Sequence, residues 1–93
     1  MFRKKWPRRI ISDNGFEVRI ESHGMIIYIE NNKLLNVDSE FLANNAGIAI
    51  YKNSIKAWNK PNDNEIINPD ERDEILKNII DALSFKNINA EID

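Results

Sequence analysis

The chain has 93 residues, 42% of them hydrophobic and 30% charged, enough apolar material for one modest core and too much for a disordered chain, so a single domain over residues 1–93 is expected. It contains no cysteine, which excludes disulfides, thiolate metal sites and a cysteine nucleophile and fits a reducing compartment, with the cytoplasm as the default. The net charge of −2 hides an asymmetry: residues 1–9 hold five cations (Arg3, Lys4, Lys5, Arg8, Arg9) and no acid, leaving 8 cations against 15 acids over residues 10–93.

The first segment, residues 1–9, reads as a basic amino-terminal arm in which Phe2 and Trp6 interleave with the cations. No apolar stretch follows those cations as a secretory signal would require. Asp13-Asn14-Gly15 is a turn signal, since asparagine and glycine tolerate positive φ. Phe16, Val18 and Ile20 then alternate with Glu17, Arg19 and Glu21, the period of a strand with one face buried and the other in water. After a reversal at Ser22-His23-Gly24, Met25 to Ile29 is apolar on both faces and predicts a central strand. It is the longest apolar run, far short of the roughly 20 residues a membrane-spanning helix needs.

Asn31-Asn32 supplies a tight hairpin turn into a third strand, Leu34 to Val37. Asp38 or Ser39 is expected to cap a short helical turn through Phe41, Leu42 and Ala43 that Asn44-Asn45 ends. Gly47 to Tyr51 and Ser54 to Trp58, separated by Lys52-Asn53, read as a second hairpin with Ile48, Ile50 and Ile55 in the core. Residues 59–68 lack periodicity and predict a surface loop. At Asn68-Pro69-Asp70-Glu71 a helix begins, with a capping asparagine, a proline at the first position and acids near the positive end of the dipole. Its stripe is Ile75, Leu76, Ile79, Ile80 and Leu83, spaced to face a sheet. Ile88, Ala90 and Ile92 alternate with Asn89, Glu91 and Asp93 and predict a short final strand at a sheet edge. The fold class expected is α+β: an antiparallel sheet of consecutive hairpins with one long helix on one face and a short last strand.

Catalytic and metal-binding constellations are not evident. His23 stands alone without the spacing of a zinc site, no serine sits in a nucleophile elbow, and the three glycines at 15, 24 and 47 cannot form a phosphate loop. The acids from Asp70 to Glu74 are explained by the helix dipole better than by a magnesium site. The expectation is therefore no enzyme, no cofactor and no metal. The outer row Glu17, Arg19 and Glu21 and the strand end Lys56 to Trp58 remain as candidate partner-binding residues, because mixed charge on a flat strand face and an indole beside a cation suit a protein interface.

The run Ile11 to Val18, Val37 to Glu40, Ile50 to Trp58 and Pro69 to Ile80 resemble the immunity protein 74 family. The resemblance implies a cytoplasmic, non-catalytic antidote, encoded beside a polymorphic or contact-dependent bacterial toxin, that binds the toxin and blocks its active site or substrate approach. A cognate toxin is then the expected partner, and an acidic body would be steered to a basic cleft. Two rival readings stand beside it. One is a small nucleic-acid-associated module using the basic arm, against which the acidic remainder argues. The other is self-association through Met25 to Ile29 should one face be uncovered. No membrane partner is expected.

Overall fold

The computed structural model describes residues 2–5, 8–21 and 24–93, with residues 3–5 and 45 described by their backbone alone. Strands β1 (Phe2–Lys5), β2 (Arg9–Ser12), β3 (Phe16–Ile20), β4 (Ile26–Glu30) and β5 (Lys33–Val37) form a five-stranded antiparallel sheet in chain order. Local chemistry sets its reversals. Ser12 Oγ accepts the Asn14 N–H at 2.9 Å in the turn between β2 and β3. Between β4 and β5, Asn31 and Asn32 take φ of 54° and 63°, the two left-handed residues of a two-residue hairpin whose twist matches its strands.

Alternation sorts this sheet into two faces. Ile10, Phe16, Val18, Ile20, Ile26, Tyr28, Leu35 and Val37 are all at or below 5% exposure and form the core face. Helix α1 (Pro69–Phe85) lies against it, with Asn78 Nδ2 donating to the Tyr28 hydroxyl at 2.9 Å. The helix starts where its residues require: Asn68 Oδ1 accepts the Glu71 N–H at 2.7 Å and Pro69 follows the cap. Ile75, Leu76, Ile79, Ala82 and Leu83 are buried, and Ile80 at the edge of the stripe is half-buried.

Strands β6 (Ser39–Phe41), β7 (Ile48–Ile50) and β8 (Ala90–Ile92) make a second sheet with β7 in the middle, antiparallel to β6 and parallel to β8. Gly47 permits the close approach of this sheet to the helix-to-β8 connection: it has φ +129°, and a Cβ there would collide with the Asn89 carbonyl.

The α+β class, the first hairpins, the helix and the terminal edge strand are as the residues predict, and Ile48, Ile50 and Ile55 are buried at 0%, 0% and 3% exposure. Other expectations give way. The helical turn expected after Asp38 or Ser39 is strand β6, because Ser39 Oγ accepts the Ile26 N–H at 3.0 Å and ties this segment to the start of β4. A single 3-10 turn falls later, at Ala43–Asn45. The second hairpin does not form, since β7 pairs with β6 and β8 instead, Lys52–Ser54 is a 3-10 turn, and of Ser54 to Trp58 only Ala57 makes a bridge, to Ile66. The loop 59–68 buries Ile67 at 6% exposure. Residues 2–5 of the expected arm run as an edge strand paired from Phe2↔Ser12 to Lys5↔Arg9. The Phe2 ring packs 5.6 Å from Phe85. Trp6 of the expected arm and the reversal expected at Ser22-His23 lie outside the described residues.

Candidate interaction surface

The solvent face of the five-stranded sheet is built by the positions that alternate with its core. Arg9 and Ile11 on β2, Glu17 and Arg19 on β3, Ile27 and Ile29 on β4, and Leu34 and Asn36 on β5 share this face. The pairs Arg9↔Arg19, Ile11↔Glu17, Glu17↔Ile29, Arg19↔Ile27, Ile29↔Leu34 and Ile27↔Asn36 put them side by side. Ile11, Ile27 and Ile29 are half-buried, and Leu34 is 42% exposed. The result is a charged row on β2 and β3 flanked on one side by Ile27, Ile29 and Leu34 of β4 and β5 and on the other by Ile11 of β2. A shallow depression of about 370 Å³ lined by Ile11, Glu17 and Ile29 continues it toward the hairpin turns.

The charged part is locked. Arg9 donates from Nε to Glu17 Oε2 at 2.6 Å and from Nη2 to Oε1 at 3.1 Å, while Arg19 Nε donates to Oε2 at 2.6 Å. The register places Arg9 and Arg19 directly opposite each other, a like-charge pair that would repel across the strands. Glu17, diagonal to Arg9, neutralises it. The Arg9 guanidinium, with Arg19 second, holds the Glu17 carboxyl below the usual carboxylate range despite partial desolvation, and Glu17 raises Arg9 in return. Bidentate geometry of this kind fixes long side chains that would otherwise be mobile.

The residues singled out in the sequence separate here. Glu17 and Arg19 belong to this face. Glu21 lies just past the end of β3, where its backbone closes the turn by donating to Met25 O at 2.8 Å and accepting from Arg8 Nη1 at 3.3 Å, with its side chain exposed. Lys56 is exposed but lines a different groove, near the amino terminus of α1. Trp58 is 4% exposed: its ring sits 6.2 Å from Tyr28 and carries the Lys33 ammonium 4.8 Å from its centroid. An exposed indole at a strand end is thus corrected to a core residue, because the following Asn59 seals the β5 edge by donating to Leu34 O at 2.7 Å and accepting from the Asn36 N–H at 3.2 Å, drawing Trp58 inward. The sequence reading missed Arg9, Ile11 and Leu34, and considered Met25 to Ile29 only for self-association. Arg9-Ile10-Ile11-Ser12 directly before a turn signal was the available cue for β2.

Elsewhere the phenol of Tyr28 is pushed up, by burial above all and then by the Glu30 carboxylate it donates to at 2.8 Å. Its neighbours are structural: the same hydroxyl accepts from the helix at Asn78. Among the described residues no group of three or more His, Cys, Asp or Glu side chains is placed to hold a metal ion, and no helix is long and apolar enough to cross a membrane.

These features define a small α+β protein with one sheet face covered by a helix and the other offering ordered charge and aliphatic surface to water. The family model for Immunity protein 74 matches residues 12–93, nearly the whole chain, and the chain belongs to that family. No curated protein and no solved structure matches it. Family membership makes this an immunity protein of a toxin system, with a toxin as its partner.

Proposed function

We propose that this protein neutralises a toxin encoded beside it by docking, without chemistry of its own, in the cytoplasm of the producing cell. In this reading the solvent face of the five-stranded sheet seats on the toxin and blocks its active site or the approach of substrate. The observation that carries it is the Arg9–Glu17–Arg19 cluster set between Ile11 on one side and the Ile27, Ile29 and Leu34 patch on the other, on a single sheet face. Interfaces combine desolvated aliphatic area with charged groups already held in position, so that little side-chain freedom is lost on association. Glu21 extends the rim of that face, and Lys56 contributes from its separate groove.

Co-purification with the product of the neighbouring open reading frame, followed by titration calorimetry, tests the assignment. Leu34→Asp places a charge in the aliphatic patch of β4 and β5 at a site already 42% exposed, so the fold is kept while toxin affinity falls about 30-fold or more. Arg19→Glu should act in the same direction. Folded Leu34→Asp protein that binds and protects as well as the parent would remove this face from the mechanism.

A further inference from the structure

A second groove, of about 480 Å³, opens where α1 begins and is lined chiefly by Ile55, Lys56, Ile66, Ile67, Pro69 and Arg72. Its walls are set by a short antiparallel contact: Ala57 bridges Ile66, and the Ile67 N–H donates to Lys56 O at 2.8 Å. Extended backbone sends neighbouring side chains to opposite sides, so Ile67 drops into the floor beside Ile55, at 6% and 3% exposure, while Ile66 stands out at 75%. No other exposed large hydrophobic residue among those described is as bare.

The polar part of this groove is cationic. Lys56 and Arg72 line it and no carboxylate does, in a chain whose acids outnumber its lysines and arginines 15 to 13. The Arg72 guanidinium is incompletely satisfied. Its Nε is shielded from water with no hydrogen-bond partner, and its Nη2 makes an ion pair with Asp73 Oδ1 at 3.6 Å, too long for a hydrogen bond. A carboxylate entering the groove would meet the terminal nitrogens of this guanidinium, whose planar fork matches two carboxylate oxygens.

We infer that the groove receives an extended segment of a partner protein carrying an acidic residue next to an aliphatic one. The aliphatic side chain covers Ile66 over the Ile55 and Ile67 floor, and the carboxylate lies between Lys56 and Arg72. A free phosphate would meet the cations but leave Ile66 in water, which is why a protein segment is the better fit. This rests on the reading that the chain acts by docking to another protein, and it adds a second, chemically distinct contact to the sheet face.

The experiment is an NMR titration of the isotope-labelled full chain with the capped peptide acetyl-Leu-Asp-Leu-Glu-amide, with acetyl-Leu-Lys-Leu-Lys-amide and with inorganic phosphate. The acidic peptide should move the amides of residues 55–57, 66, 67 and 72 in the millimolar range, and the basic peptide should not. Lys56→Glu combined with Arg72→Glu should weaken the acidic peptide at least about tenfold, and Ile66→Ser, at a bare surface position, should weaken it several-fold. Shifts that survive the double charge reversal, shifts produced equally by phosphate, or no shifts with the acidic peptide would each overturn the assignment. No toxin is present in this measurement. Its failure therefore leaves the sheet-face reading standing, and failure of Leu34→Asp to weaken toxin binding leaves the groove standing.

Discussion

The two faces of the five-stranded sheet are made by the same strands and obey opposite rules. On one, Tyr28 is fully buried between the Trp58 ring and the Asn78 amide, and nothing there is accessible to a partner. On the other, one residue along, Glu17 ties two arginines together, and Ile29 separates it from Leu34 at 42% exposure. Strand period two therefore divides stability from contact residue by residue. Substitutions on the core face should cost folding free energy whatever they do to binding, and substitutions on the solvent face should change binding with little cost in stability.

The largest expected effect breaks the core face. Trp58→Ala removes an indole at 4% exposure and should destabilise by about 3–5 kcal/mol, a large part of the roughly 5–15 kcal/mol such domains possess. Urea denaturation measures it, and a loss below about 1 kcal/mol would return Trp58 to the surface. Trp58→Ala is thus a stability variant and cannot report on docking. Next is Gly47→Ala, which forces a Cβ into the Asn89 carbonyl at φ +129° and should cost about 2 kcal/mol or more. Hydrogen exchange should show β7 and β8 opening first while β3 and β4 stay protected. Equal loss of protection in both sheets would make the three-stranded sheet an inseparable part of the first. Leu34→Asp then sharpens the contrast, because its effect on affinity should far exceed its effect on the urea midpoint.

What could be read from the residues follows the same division. The hairpins around Asp13-Asn14-Gly15 and Asn31-Asn32, the alternation of β3 and the Asn68-Pro69 helix start are local, each fixed by the chemistry of a few adjacent residues, and each was legible. The three-stranded sheet is not local: β7 is buried at 0%, 2% and 0% along its length, so it carries no alternation, and its partner β8 lies about forty residues away in sequence. No short-range signal distinguishes that pairing from the hairpin expected at Ser54 to Trp58. Of the candidate site, Glu17 and Arg19 were visible from period two alone. Arg9 was obscured because it sits in a run of cations that reads as an arm, and only the register Arg9↔Arg19 shows why Glu17 is needed.

Glu17 carries the smallest predicted effect and the most specific one. Its carboxyl is held below the usual range, by Arg9 first and Arg19 second, so its folded-state pKa lies under the roughly 4.3 of an unfolded glutamate. A depressed folded pKa contributes stability that is complete above the unfolded value and is lost as pH falls through the folded one. Glu17→Gln should therefore destabilise at neutral pH by no more than about 1 kcal/mol, since both guanidinium groups are partly in water and screened. The gap between parent and variant should close as pH drops below about 4 and the parent's own carboxyl takes up a proton. Urea midpoints at neutral and acidic pH read this directly, and a gap that persists unchanged in acid would mean the side chain acts through shape and not charge. The same substitution leaves Arg9 and Arg19 facing each other without a counter-ion, so the charged half of the solvent face loses its fixed geometry. Toxin affinity should then fall several-fold, less than for Leu34→Asp, and the difference should shrink in high salt as the repulsion is screened.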